Sequence, residues 1–271
     1  MGECCIGNCR SGCICGAKAM NRRHEQPRVV ATVECRMTST RLPGKVMMES
    51  CGKPLLAHLV ERLKRVERLD EILLATTVNP DDEIIESLAG DLEIGCFRGS
   101  EEDVLQRVLQ TIDSVSGDVL VEITGDCPLI DPDIVTQTLD LYLCNDCDYA
   151  ANDLVPSFPL GMDVEVFSAE LLRLADREGL TAEDREHVSW FFVRHPDRFR
   201  LLMLPAPPKL QWPDLRLTVD QHEDFLLIDA VLNHFYPRKP DFSCRDIIEF
   251  LKDRPDLLEL NRTVKQRMPG E

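Results

Sequence analysis

No apolar run in this 271-residue sequence approaches the length of a membrane span, and no continuous apolar stretch of the signal-peptide kind opens it. The expectation is a soluble cytoplasmic protein with no membrane partner. Basic residues are also scarce: 31 Lys and Arg against 48 Asp and Glu leave a formal charge of −17. Such a chain repels nucleic-acid phosphates and anionic lipid at long range, so nucleic acid is excluded as a partner. There is no internal repeat and no low-complexity linker. A Walker A loop is missing too. Gly44-Lys45 would need glycine where Ser39 stands, and Ser or Thr where Val46 stands.

What is present begins with 44% hydrophobic residues, ample for a buried core. The expected organisation is an N-terminal extension over 1–27, one domain over 28–240 and a C-terminal helical extension over 241–271. Twelve cysteines are many for a cytoplasmic enzyme, and five crowd the start: Cys4, Cys5, Cys9, Cys13 and Cys15. A disordered tail is one reading of that segment, and a soft-metal or iron–sulfur site is the other. The lipidation pattern that Met1-Gly2 suggests wants Ser or Thr where Ile6 stands. The seven scattered cysteines suit core positions better than disulfides.

From residue 29 onward, strand and helix patterns alternate. Val29-Val30-Ala31-Thr32-Val33 and Glu71–Thr77 are β-branched or apolar runs, and Leu92–Phe97 and Asp118–Thr124 follow as further strands. Helical spacing fills 55–66, the segment after Asn79-Pro80, the run from the Ser100-Glu101-Glu102-Asp103 cap to about Ser114, and the run capped by Asp131-Pro132-Asp133. Four such repeats predict a mostly parallel sheet with helices on both faces, hence an α/β fold. Further on, strands are expected at Met162–Phe167, Phe199–Leu204 and Leu215–Val219. Helices are expected at Ser168–Asp176, Ala182–Arg194, Glu223–Phe235 and Asp246–Lys252.

Ligands of parallel sheets bind beyond the C-terminal strand ends. There, after the first strand, Arg36, Arg41 and Lys45 fall within ten residues, interleaved with Thr38, Ser39, Thr40 and a Pro43-Gly44 turn. In so acidic a chain this cluster suits a polyphosphate better than a solvated loop. Asp126 follows the fourth strand and a glycine, and Asp220 ends the Leu215–Val219 run. Two carboxylates from separate strand ends can hold one hard cation against phosphate oxygens, or can each cap a helix.

Six segments then carry a resemblance. They are Thr40-Arg41-Leu42-Pro43-Gly44-Lys45, Phe97–Leu105, Gly125-Asp126-Cys127-Pro128-Leu129-Ile130-Asp131, Gly161-Met162-Asp163-Val164-Glu165, Arg185-Glu186-His187-Val188 and Leu217-Thr218-Val219-Asp220. In this order, over residues 28–236, they resemble the cytidylyltransferases of the spore coat polysaccharide biosynthesis protein F type. That family is similar to the synthetases of CMP-KDO and CMP-neuraminate. The resemblance implies the nucleotide-diphospho-sugar transferase (GT-A-like) three-layer sandwich, CTP as donor, Mg²⁺ as cofactor, a sugar or sugar acid as acceptor, and often a homodimer. It makes Arg36, Arg41 and Lys45 the triphosphate loop and Asp126 and Asp220 the Mg²⁺ ligands, with Arg36, Arg41, Lys45 and Asp126 as the catalytic set.

The same resemblance gives Glu34, Thr76, Thr77, Arg98 and Ser100 as base-reading candidates. Glu34 stands where Gln is usual, Cys35 where Ala is usual, and Val78 where an acidic residue often follows the threonines. A carboxylate only accepts hydrogen bonds, which suits the exocyclic amine of cytosine and leaves guanine as an alternative. Acceptor candidates are Asn152, Asp163, Glu165, Arg185, Glu186, His187 and Arg194. Arg194, seven residues beyond His187, would share its helix face and could meet a sugar carboxylate. His187 is either a proton acceptor or an ordinary helix histidine. The lone Cys144-x-x-Cys147 suits a helix end better than a metal site. Two other functions compete with CMP transfer: a glycosyltransferase on the same fold, and a nucleotide-binding protein without catalysis.

Overall fold

The computed structural model describes residues 26–178 and 181–266. Most of the expected N-terminal extension, with its five cysteines, lies outside the described residues. The chain opens with β1 (Val29–Glu34) and a short ribbon of β2 (Glu49–Ser50) and β3 (Lys53–Pro54), then α1 (Leu55–Leu63). Next come β4 (Glu71–Thr77), α2 (Glu83–Asp91), β5 (Gly95–Gly99), α3 (Val104–Ser114), β6 (Val119–Thr124) and α4 (Pro132–Cys144). The second half adds β7 (Tyr149–Ala151), β8 (Glu165–Ser168), α5 (Ala169–Arg177), α6 (Ala182–Glu186), α7 (Trp190–Val193) and β9 (Leu201–Met203). It closes with α8 (His222–Phe235), α9 (Cys244–Lys252) and α10 (Pro255–Leu258).

One seven-stranded sheet runs in the order β5-β4-β1-β6-β8-β7-β9. Its first four strands are mutually parallel, and β8 enters antiparallel to β6. The parallel strands are buried on both faces, which is why they read as near-continuous apolar runs. Residue alternation still divides the core. Val29, Ala31 and Val33 pack toward α1, α4, α8 and α9, whereas Val30 packs toward α3, α5 and α7. The even-numbered side of β1, which includes Thr32 and Glu34, therefore faces the α3 layer. Ile247, Ile248 and Leu251 of α9 belong to the larger core cluster, so the last helices pack on the same sheet.

The helix caps follow the sequence. Asn79, Asp103, Asp131 and Ser168 each accept a backbone N–H from the turn they open. Two expectations need correction. The continuous helix over Ala182–Arg194 is two short ones, because His187 leaves helical geometry at φ −112° and ψ 85°. Burial of Val188, Phe191 and Phe192 against Tyr149, Phe167 and Phe199 overrides the helical period there. Leu215–Val219 is extended but joins no ladder. Among the described residues its one bridge is Leu160 to Arg216; its backbone also donates from Leu215 to the Trp212 carbonyl at 3.0 Å and from Val219 to the Asp126 carbonyl at 2.9 Å. Strand bounds also move: the third begins at Gly95 rather than Leu92, and the Met162–Phe167 strand at Glu165.

Gly161 makes that crossing possible. It adopts φ +97°, and an added Cβ would sit 2.7 Å from the Leu217 backbone. Both strain and collision therefore oppose any side chain at this point. Gly161→Ala is expected to lower the unfolding free energy by about 2–4 kcal/mol, read from urea titration of the folded chain.

Candidate active site

The cationic loop is pinned at both ends. The Gly44 N–H donates to the Met37 carbonyl at 2.8 Å, and Gly44 takes φ +72°. The Met37 N–H donates to Asp82 Oδ1 at 2.7 Å, and the same buried carboxylate accepts from the Thr77 N–H at 3.2 Å. Asp82 thus joins the end of β4 to the start of the loop. Lys45 follows in a single 3₁₀ turn and points inward.

On the far side, Gly125 lets β6 end against β1. Its N–H donates to the Glu34 carbonyl at 2.8 Å, and an added Cβ would lie 2.8 Å from that same oxygen. Asp126 then turns into the cleft. The Lys45 ammonium bridges Asp126 Oδ2 and Asp220 Oδ1, each at 2.8 Å. Arg41 reaches Asp220 Oδ1 at 2.7 Å. Behind them, Arg216 holds Asp220 and Asp224, and Asp224 also accepts the Asp220 N–H at 3.0 Å. Burial alone would lower the Lys45 pKa, but the Asp126 and Asp220 charges outweigh it and raise it. Burial likewise opposes the charge on Asp220, and Lys45, Arg216 and Arg41 together hold its carboxyl below the ordinary range.

Arg36 stands apart from this group, with Nη1 3.3 Å from the Glu101 carbonyl. Glu101 is a residue that the sequence reading passed over as part of a helix start. Its carboxylate accepts from Thr38 Oγ1 at 2.5 Å and from Asn79 Nδ2 at 3.1 Å, tying the loop to the turn after β4. Those bonds lower its pKa. Around that turn, Thr76 and Thr77 are fully buried, and Thr77 is held by Asp82. Arg98 clamps the turn through the Thr77 carbonyl at 3.0 Å and the Asn79 carbonyl at 2.8 Å. Ser100 Oγ accepts the Asp103 N–H at 3.0 Å. Val78 projects beside them, 66% exposed.

The acceptor candidates divide. Asn152 is buried and fully engaged, donating to the Met162 carbonyl at 2.7 Å and accepting from the Val164 N–H at 2.8 Å. Arg185 binds Asp103 and Asp176, so it braces α3, α5 and α6. Arg194 does not share a helix face with His187; the helix break turns it onto Asp184. Glu186 is exposed and His187 half-buried at that break. Asp163 accepts the Gly161 N–H at 3.1 Å, and burial lifts its carboxyl to about 7. Glu165 is lifted to about 8, by burial first and then by the Asp153 charge. Beside it lies Glu122, which the sequence reading absorbed into an apolar strand. Burial and the Glu34 and Glu165 charges push its carboxyl well up.

A family model described as cytidylyltransferase matches residues 30–268. The chain belongs to the cytidylyltransferase family. It is 34% identical over 240 residues to an uncharacterized protein of Methanocaldococcus jannaschii, covering 89% of this chain and 97% of that one. It is 33% identical over 233 residues to the spore coat polysaccharide biosynthesis protein SpsF of Bacillus subtilis, covering 84% and 95%. Among solved structures, a cytidylyltransferase from Leptospira borgpetersenii superposes with a TM-score of 0.83 at 30% identity, covering 89% of this chain and 100% of that one. A CMP-2-keto-3-deoxy-manno-octonic acid synthetase complexed with CTP shares the fold, with a TM-score of 0.58 at 16% identity over 76% and 99%. Cytidylyltransferases are CTP-dependent nucleotidyltransferases, which decides against the glycosyltransferase reading. The expected α/β sandwich stands as well. Among the described residues, no helix is long and apolar enough to cross a membrane.

The raised carboxyls make this cytidylyltransferase sensitive to alkali. Glu165 binds its proton more tightly folded than unfolded, so folding loses stability as pH rises from about 4.5 through about 8. Glu165→Gln is expected to flatten that decline, gaining at least roughly 1 kcal/mol at pH 8.5 relative to pH 5. Thermal unfolding of both proteins across this range checks it.

Proposed function

We propose that this cytidylyltransferase transfers CMP from CTP to a sugar hydroxyl, with pyrophosphate as the leaving group, in making a glycan precursor. The observation that carries the reading is the Lys45 ammonium lodged between Asp126 and Asp220. Two carboxylates 94 residues apart in the chain already share one cation, with a second cation, Arg41, against them. That donor set suits a hard divalent ion, which takes one or two carboxylates plus substrate phosphates. Asp126 and Asp220 are the residues that would hold Mg²⁺. Bound there, the ion would neutralise phosphate charge as the α–β bond breaks.

The chain's own residues account for the rest. Arg41 and Lys45 are the cations for the β- and γ-phosphates, and Arg36 reaches the same loop from the Glu101 side. Their charge suits departure of pyrophosphate more than the bound triphosphate, which is what accelerates the step. The acceptor hydroxyl oxygen forms the new bond to the α-phosphorus, and the bond from that phosphorus to the bridging oxygen breaks. The hydroxyl proton goes to a base. Asp163, raised to about 7 and close enough to feel the Asp126 charge, has a proton affinity matched to that task. Thr76, Thr77, Arg98 and Ser100 are the residues assigned to the base, beside exposed Val78 with its apolar face, whereas the Glu34 carboxyl turns to Glu122. A homodimer, implied by the resemblance, and a cytoplasmic location, expected from the sequence, belong to the same reading.

Asp126→Asn is expected to lower CTP-dependent pyrophosphate release by about 10²–10³-fold while the protein stays folded. Lys45→Ala is expected to raise the KM for CTP. Wild-type rates from the Asp126 variant, or equal use of ATP and CTP, would sink the assignment.

A further inference from the structure

On the α3 side of the sheet, four carboxyl groups gather, and the Arg107 guanidinium feels the charge of one of them, Glu34. The strand registers place Thr32 of β1 beside Glu122 of β6, and Glu122 directly across from Glu165 of β8. Glu34 lies two residues beyond Thr32 on the same face, and its carboxyl meets that of Glu122. Asp153, from the loop after β7, adds its charge from the solvent side. Like charges so placed repel, and each is costly to keep without a counter-ion.

These groups are also short of hydrogen bonds. Glu34 Oε1, Glu122 Oε2, Glu165 Oε2 and the fully buried Thr32 Oγ1 have no partner, and two donors beside them, the Tyr149 hydroxyl and Arg107 Nε, leave the three carboxylate oxygens still in excess. Buried polar atoms are almost always satisfied in a folded protein, so unfilled acceptor atoms at one place mark where a donor belongs. Of the nearby arginines, Arg107 keeps an unpartnered Nε, and Arg185 and Arg194 are held elsewhere. Arg107 reaches Glu34 only at longer range, from α3, while its guanidinium bonds the Ser100 carbonyl at 2.5 Å. Arg185 is held by Asp103 and Asp176, and Arg194 by Asp184. Among the described residues, none of the four carboxyls has a salt bridge. The remaining neighbours are the Tyr149 and Ser189 hydroxyls beside Glu165, and Asp163, which shares the field of Asp153.

A sugar acid would bring one more negative charge to a row in which carboxyls already outnumber Arg107, whose one free N–H faces several unfilled acceptors. An ammonium brings three donors and the missing positive charge, and sugar hydroxyls bring further donors. We propose that this row is the acceptor subsite, and that it takes a cationic amino sugar rather than a sugar acid. The word acceptor rests on the CMP-transfer reading above; the preference for a cationic sugar rests on the row alone. Binding an ammonium favours the ionised carboxylates, so protons leave the row as the sugar enters.

Calorimetric titration of the full chain with glucosamine, N-acetylglucosamine and glucuronic acid tests this. Each is run with and without CTP, in two buffers of different ionisation heat. Glucosamine is expected to bind at least roughly tenfold more tightly than its N-acetylated counterpart, with proton release, while glucuronic acid stays below detection. Glu122→Gln and Glu165→Gln keep the side-chain shape, and their melting curves report folding. In whichever variant is folded, the preference for glucosamine is expected to fall below about threefold. Equal or tighter binding of N-acetylglucosamine or glucuronic acid, no binding of any of the three, or an unchanged preference in both folded variants would overturn the proposal. CTP titrated alone separates the two readings. A protein that binds glucosamine selectively but not CTP refutes the nucleotidyl-transfer reading and supports the cationic subsite.

Discussion

The structure depends on one shared cation. Asp126 and Asp220 come from segments far apart in the chain and meet in a half-buried cleft. Without Lys45 between them they would repel, and only Arg41 and Arg216 would offset the Asp220 charge. The backbone bond from Val219 to the Asp126 carbonyl brings the segments together, and the ammonium makes the approach electrostatically tolerable. Arg216, buried behind Asp220, fixes that carboxylate from the protein side and leaves its other oxygen to the cleft. The sheet, the Gly125 contact and the Gly161 turn all serve this meeting.

The parallel half of the fold was legible because its signals are local. Apolar strands, capping aspartates and a cation-rich turn each depend on a few neighbouring residues. Glu71–Thr77 and the cap at Asp131 fall where the pattern put them, while the helix start expected at Ser100 moves to a cap at Asp103. Leu215–Val219 misled because apolar alternation says that a segment is extended, not that it finds a ladder. The Ala182–Arg194 run misled for a different reason. Its residues suit a helix, but an aromatic cluster drawn from β7, β8 and the segment before β9 claims its buried side chains.

The site was legible in its charges and not in their pairing. Arg41, Lys45, Asp126 and Asp220 could be named as a group from sequence, since each stands at a strand end. Nothing local says that Arg36 turns away from them, or that Arg185 and Arg194 bind Asp103, Asp176 and Asp184. Ion-pair partners far apart in the chain are set by tertiary approach. Glu122 was invisible for a related reason: one acidic residue in an apolar strand reads as a solvent-facing position, while here it faces the α3 layer. A register shared with Glu165 and Thr32 gives it meaning, and register is a property of the sheet.

The buried Asp82 has a mechanical consequence. It grips the first residue of the cationic loop and the last residue of β4 with one carboxylate, and the Gly44 N–H closes the loop's base onto Met37. Residues 38–43 are therefore a short hoop whose two feet are clamped at a fixed span. A hoop of that kind can tilt over a guest but cannot lengthen, so it measures its guest. Under the proposed function, a chain of phosphates would have to match the reach from the clamped feet to the carboxylate pair, and the turn after β4, tied to the hoop through Glu101, would shift with it.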